Sequence, residues 1–206
     1  MSACCDREPA FDGASTAYRR VLWAVIGINA SLFAVEVVAG TLAGSRALVA
    51  DSLDFLGDTA TYALSLWVIG RSLTTRARAA LFKGLSLAVL GLWVLGSTVW
   101  GVFAEGVPHA ATMGAVGIAA LAANVVSALL LFRFRDGDAN VRSVWLCSRN
   151  DAIGNVAVVI AASGVWATNT GWPDLIVAGL MASLFLWSSA RIILHARADL
   201  RRARTG

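Results

Sequence analysis

The chain has 206 residues, of which 58% are hydrophobic and 15% charged, and its mean hydropathy is +0.70. Soluble domains carry about 25% charged residues, so this composition predicts a polytopic membrane protein and excludes a disordered chain. The net charge of +4 comes from basic residues that fall almost entirely on alternate loops between apolar segments. We therefore expect no nucleic-acid partner, and the positive-inside rule predicts that both termini are cytoplasmic.

Six apolar segments are long enough to cross a ~30 Å hydrocarbon core, which takes about 20 helical residues. They span residues 21–43, 47–70, 81–104, 110–132, 143–167 and 173–194. We predict an all-α integral membrane protein with six transmembrane helices. Its expected parts are a cytoplasmic tail (1–20) that does not resemble a cleaved signal peptide, a transport domain (21–194) and a short basic tail (195–206).

The second segment contains three aspartates, Asp51, Asp54 and Asp58. A charged residue near the centre of a bilayer costs about 2.5–3.5 kcal/mol on insertion scales. At about 100° per helical residue, the three carboxylates fall within an arc of about 60°. Such a stripe must face the bundle interior or a watery cavity, because lipid offers it no partner.

The fifth segment has a second polar stripe, in which Cys147, Asp151 and Asn155 follow one another at intervals of four residues. At ~1.5 Å per residue, Asp58 lies about 16 Å and Asp151 about 20 Å below the outer face, so the two stripes meet near one depth. Asp54, Asp58, Cys147 and Asp151 then offer four ligands, the number that Zn²⁺ prefers.

Several polar residues are weaker candidates. Asp51 is a possible ligand, but it also suits a helix cap or a gate, and Asn155 suits a hydrogen bond between helices as well as it suits a metal. Cys4 and Cys5 would suit soft metals at the cytoplasmic mouth, since the three cysteines show no disulfide framework.

Other polar residues of the spans have supporting roles in this interpretation. Glu36 and Asn29 share one face of the first helix, where they would support the site or line a water path. Arg149 points away from the second stripe, so we expect it to reach the inner surface or to pair with an acid such as Glu36. The histidines, His109 and His195, lie at the ends of segments and are expected at the membrane interface.

Two stretches carry a family resemblance. "AGSRALVADSLDFLGDTATYALSL" and "NVRSVWLCSRNDAIGNVAVVIAASGVW" resemble the cation diffusion facilitator family, whose second and fifth spans each carry a (His/Asp)-x-x-x-Asp pair. Asp54 and Asp58 match the first pair, and Cys147 and Asp151 match the second. The double motif is specific, and the resemblance extends over nearly the whole chain.

The resemblance implies a secondary active transporter, not an enzyme. It would export divalent transition metals, usually zinc, in exchange for protons, as a homodimer in the cell membrane (the inner membrane in a bacterium). The metal is cargo, and no cofactor is expected. The chain departs from the common pattern in lacking a cytoplasmic domain after the sixth span and a His-rich inner loop. Cys147 replaces a usual His or Asp, which favours softer ions such as Zn²⁺, Cd²⁺ or Cu(I) over Mg²⁺ and Mn²⁺ and leaves Co²⁺ and Fe²⁺ possible.

Two other functions stay open at this point. In one, the acids relay protons in a transporter of another small cation, which would need an aromatic-lined cavity. In the other, the protein is a membrane metal-binding accessory that transports nothing.

Overall fold

The computed structural model describes residues 15–68, 71–104, 106–136 and 139–205. Cys4 and Cys5 lie outside the described residues. The described chain forms six α-helices, and the predicted all-α class is confirmed. They are α1 (Thr16–Ala43), α2 (Arg46–Val68), α3 (Leu73–Ala104), α4 (Ala110–Phe132), α5 (Ala139–Thr168) and α6 (Trp172–Thr205).

Five of the six helices are long and apolar enough to cross a membrane. The exception among the described residues is α2, whose 23 residues are sufficient in length but include three aspartates. Its neighbours explain how it tolerates them, since α2 contacts α1, α3, α5 and α6 and keeps Asp51 and Asp58 buried. Large side chains on other helices, such as Phe103 and Trp166, are more than 80% exposed, as expected of surfaces that meet lipid. The molecule is a multi-pass membrane protein.

The outer turn between α1 and α2 caps the end of the first helix and the start of the second. Gly44 adopts a left-handed conformation (φ 67°), which lets Ser45 donate its backbone N–H to the Gly40 carbonyl at 2.9 Å. The Ser45 hydroxyl oxygen in turn accepts the Leu48 N–H at 3.1 Å and so caps the start of α2.

A carboxylate from α6 completes this cap. Asp174 accepts the Ser45 hydroxyl at 2.6 Å, the Arg46 N–H at 2.7 Å and the Ala47 N–H at 3.1 Å. The first turn of a helix has unpaired N–H groups and a positive dipole end, which a carboxylate satisfies. Asp174 therefore ties the outer start of α6 to the outer start of α2.

Two apolar clusters hold the helices at opposite ends of the bundle. The inner core joins α1, α2, α4 and α5 near the start of α1, and consists of Tyr18, Leu22, Val25, Ile26, Tyr62, Leu131, Val141 and Val144. The outer core joins the outer parts of α2, α3, α4, α5 and α6, and consists of Ala47, Leu48, Ala50, Val94, Met113, Val158, Ala161, Ala162, Val165, Val177, Met181, Ala182 and Phe185. The described residues of the inner core include none from α3 or α6. A cavity can therefore form between the inner core and these two helices.

Helices α3 and α6 form a closely packed pair of their own. A Cβ atom on Gly84 would lie 2.8 Å from Cγ1 of Ile193, and one on Gly91 would lie 3.1 Å from the Leu186 side chain. The Ser189 hydroxyl donates to the Gly84 carbonyl at 2.8 Å. Small residues let membrane helices approach closely enough for such contacts.

Candidate metal site

A cavity of about 920 Å³ lies between α2 and α5 on one side and the α3–α6 pair on the other. The four predicted ligands, Asp54, Asp58, Cys147 and Asp151 (the quartet), all line it. The cavity extends from the quartet towards the inner face, where Lys83 and Arg191 line it. This volume leaves space for an ion to reach the quartet.

The three carboxyl groups of the quartet face one another. Asp54, Asp58 and Asp151 line one small internal pocket in addition to the large cavity. The Oδ2 atom of Asp151 is buried and meets no hydrogen-bond donor. Carboxylate oxygens that face each other need a proton or a cation between them, because both are acceptors when ionised. This chemistry suits a cation site.

The quartet does not converge on one point. Among the described residues, no three His, Cys, Asp or Glu side chains are close enough together to hold a metal ion. The two motif pairs are brought to one cavity, as the sequence predicts, but their role as ligands stays a prediction.

Tyr62 fixes the orientation of Asp58, and the sequence analysis missed it. Its hydroxyl donates to Asp58 Oδ2 from one turn further along α2. The hydroxyl oxygen of Tyr62 also lies 3.1 Å from the Ser148 hydroxyl of α5. Because the tyrosine proton goes to Asp58, Ser148 must be the donor in that contact. Tyr62 continues the Asp54–Asp58 stripe by four residues, which is the signal that could have identified it.

Lys83 is a second residue that the sequence analysis did not assign to the site. It lines the cavity from α3, and its charge acts on Asp54, Asp58 and Cys147. A cation on the inner side of three carboxyl groups offsets part of their negative charge.

Residues 22–200 match the family model of the cation efflux transmembrane domain. The chain belongs to this family. The resemblance to cation diffusion facilitators, carried by the two motif pairs, is thereby confirmed.

Similar proteins include the zinc transporter ZitB of Escherichia coli, which is 31% identical over 191 residues that cover 85% of this chain and 60% of ZitB. The ZitB of Pectobacterium atrosepticum is 28% identical over 193 residues, covering 86% and 60%. The metal cation efflux system protein CzcD of Cupriavidus metallidurans is 23% identical over 193 residues, covering 88% and 60%. This cation efflux chain thus spans about 60% of the length of the curated relatives that it matches.

The weaker candidates of this cation efflux protein have partners other than the quartet. With its amide oriented to satisfy its neighbours, Asn155 donates to Asp51 at 2.8 Å and accepts from Asn124 at 2.9 Å. Both Asp51 and Asn155 are buried, at 2% and 0% exposure, and neither lines the large cavity. Asp51 therefore lies in a hydrogen-bonded network behind the quartet.

Arg149 and His109 also have defined places. Arg149 lies over the Trp145 ring, 5.3 Å from its centroid, and its guanidinium donates to Asn150 at 3.0 Å. The alternative that Arg149 pairs with Glu36 is wrong, because both carboxyl oxygens of Glu36 are buried without a hydrogen-bond partner among the described residues. His109 Nδ1 accepts the Thr112 N–H at 3.3 Å and so caps α4, which agrees with its expected position at a helix end.

Proposed function

We propose that this chain is the transport unit of a metal-cation exporter that moves Zn²⁺ as its main substrate in exchange for protons. The observation that carries the proposal is that Asp54, Asp58, Cys147 and Asp151 all line one cavity. The protein would be a secondary active transporter that needs no cofactor and performs no enzymatic reaction. The relatives named as zinc transporters and as a metal cation efflux protein support the same choice of substrate.

The donor set supports both the metal and the proton exchange. Carboxylates and a thiolate bind metal only when they are deprotonated, so metal and protons compete for the same atoms. Three carboxylates and one sulfur favour a borderline-soft ion such as Zn²⁺, with Cd²⁺ and Co²⁺ as further substrates, over Mg²⁺. A site that exposes these atoms alternately to the two sides exchanges one cation for the other.

The asymmetry of the bundle supports alternating access. The large cavity lies on the inner side of the quartet, and the outer core and the Asp174 cap lie on its outer side. We infer that the present arrangement receives metal from the inside. Movement of the α3–α6 pair against the other four helices would close the cavity and open the outer side. In this proposal the protein works as a homodimer in the lipid bilayer.

The test is zinc flux in proteoliposomes with an imposed pH gradient. Asp58→Ala and Asp151→Ala should reduce flux to the level of empty liposomes, because each removes a proposed ligand. The control is Asp136→Asn, since this side chain is 88% exposed and does not line the cavity. A panel of Zn²⁺, Cd²⁺, Co²⁺, Fe²⁺ and Mn²⁺ identifies the substrate. Wild-type flux in both folded alanine variants would rule the proposal out.

A further inference from the structure

The large cavity has an apolar wall on the side of α3 and α6. This wall consists of Phe82, Val89, Leu184 and Trp187, all of which line the cavity. The same four side chains are 58–73% exposed. A side chain enclosed by protein would be covered on most sides, so this exposure indicates that the cavity opens sideways, where the bilayer lies. An opening with such a wall suits a hydrocarbon chain.

Two basic residues line the inner end of the cavity, Lys83 on α3 and Arg191 on α6. Counted from the outer helix ends at ~1.5 Å per residue, they lie about 28–32 Å down, compared with about 12–26 Å for the acids of the quartet. They also lie within about 5 Å of the inner limits of the apolar segments 81–104 and 173–194. At this depth a long basic side chain reaches the phosphate groups of the inner leaflet.

The contact between α3 and α6 holds the two basic residues at one level. A Cβ atom on Gly84 would lie 3.1 Å from the Ile192 side chain, and the Ser189 hydroxyl donates to the Gly84 carbonyl at 2.8 Å. Gly84 directly follows Lys83 in the chain, and Ile192 directly follows Arg191. Two positive charges from different helices therefore meet the same end of the cavity.

Within the described part of the chain, the charges of Lys83 and Arg191 are not neutralised by ion pairs. The guanidinium of Arg191 lies over the Trp187 ring, 4.8 Å from its centroid, which keeps this charge beside the apolar wall. A phosphate group offers the oxygens to which Arg and Lys make charge-assisted hydrogen bonds. The charge and the apolar surface together therefore match an amphipathic anion.

We propose that the inner mouth of the cavity binds an anionic phospholipid of the inner leaflet. Its phosphate lies between Lys83 and Arg191, and one acyl chain lies along the apolar wall. Basic pockets between transmembrane helices on the cytoplasmic side bind such headgroups, with a gain of roughly fivefold in affinity for each basic residue. A free phosphate would leave the apolar wall uncovered, so the structure favours the lipid. The site does not depend on which cation the protein transports.

The experiment measures lipid binding to the full chain by native mass spectrometry from detergent. Phosphatidylglycerol and phosphatidylcholine with the same acyl chains are compared, because they differ in net charge and share the apolar part. The wild type should bind phosphatidylglycerol more tightly, by roughly tenfold or more. Lys83→Gln and Arg191→Gln should each weaken the binding of phosphatidylglycerol about fivefold, and the double variant about 25-fold. The binding of phosphatidylcholine should change less.

Arg149→Gln is the matched control. Arg149 lies over Trp145 as Arg191 lies over Trp187, at 5.3 and 4.8 Å, but it does not line the cavity. This variant should bind phosphatidylglycerol as tightly as the wild type does. Arg191→Lys, which keeps the charge, should retain most of the affinity. An unchanged affinity in the double variant, or an equal loss in Arg149→Gln, would overturn the proposal.

A competition measurement on the wild type does not depend on how the variants fold. Glycerol 3-phosphate carries the phosphate without acyl chains, and at the same concentration as phosphatidylglycerol it should displace little of the bound lipid. Displacement of half of the lipid would show a simple anion site and contradict the role of the apolar wall. Equal Kd values of the wild type for the two lipids would show that Lys83 and Arg191 bind no anionic headgroup.

Discussion

At the scale of single residues, one hydroxyl group connects the two helices that carry the metal motifs. Tyr62 donates to Asp58 and lies 3.1 Å from the hydroxyl of Ser148 on α5. Tyr62 is fully buried, so its oxygen has no water to replace either partner. Groups that hydrogen-bond a metal ligand fix its orientation, and their loss costs about 10–100-fold in metal affinity.

We therefore predict that Tyr62→Phe raises the Kd for zinc by about 10–100-fold. The ring still fills the inner core, whereas Asp58 loses its donor. The measurement is a zinc-binding isotherm on the purified protein, with thermal unfolding recorded alongside. Ser148→Ala serves as the matched control: it removes a neighbour of Tyr62 and leaves the bond to Asp58, so its Kd should change less. Equal zinc affinity in wild type and Tyr62→Phe would contradict the prediction.

Among single residues, the quartet could be predicted from the sequence, whereas its neighbours from other helices could not. The helical repeat brings Asp54 and Asp58 to one face and Cys147 and Asp151 to another, and this periodicity was enough to place all four on one cavity. Lys83 carries no such signal, because it comes from a third helix whose rotation depends on packing against α6. The pairing of Asp51 with Asn155 was hidden for the same reason, since it joins residues of different helices.

At the scale of whole helices, the close packing of α3 against α6 depends on glycines at the contact. Gly84 and Gly91 lie two turns apart on α3, and both face α6 at distances too short for a Cβ atom without displacement of the neighbour. Gly96, further along the same helix, has open space at the corresponding position. These three of the four glycines of α3 are thus not equivalent, and this provides a matched comparison.

Gly84→Leu should destabilise the protein by about 1–3 kcal/mol, because the new side chain must displace Ile192 and Ile193. Gly96→Leu should be neutral or slightly stabilising, since leucine is a better helix former by up to about 1 kcal/mol. The thermal midpoint of both variants, measured by size-exclusion chromatography after heating, distinguishes the two. Equal midpoints for the two variants would show that Gly84 does not set the approach of α3 to α6.

Helix ends differ in how well hydropathy predicts them. The outer ends agree within one residue, as for the first segment (21–43), which ends at the same residue as α1. Four of the inner ends extend further, those of α1, α3, α5 and α6: α3 begins at Leu73 where the apolar segment begins at 81, and α6 continues to Thr205 beyond 194. These extensions carry arginines, so they are helical without being apolar. Hydropathy reports the part of a helix that meets lipid, whereas hydrogen bonding continues the helix past it.

At the scale of the whole molecule, the two ends of the bundle are held differently. The inner core excludes α3 and α6, and the large cavity lies beside it. The outer core includes both of these helices, and Asp174 joins α6 to α2 above it. No pattern in the sequence predicts this contact, because Asp174 and Ser45 are 129 residues apart. In the proposed transport cycle, opening of the outer side has to break it.

Asp174→Asn should therefore shift the molecule towards the state that is open on the outer side. The variant keeps the size of the side chain but replaces one acceptor oxygen with a donor group, which leaves an N–H of α2 without its partner. A hydrogen bond to a charged group contributes about 1.5–3 kcal/mol, so we expect the population of the outward-open state to increase by about tenfold or more.

The reporter of outer opening is the substitution Ala50→Cys, in a chain whose three native cysteines are replaced by serine. Ala50 is fully buried in the outer core. A membrane-impermeant thiol reagent added from outside should label the new cysteine faster in Asp174→Asn than in the parent, and Asp136→Asn should match the parent. Equal labelling rates in Asp174→Asn and the parent would mean that the Asp174 cap stabilises the fold without controlling access to the outer side.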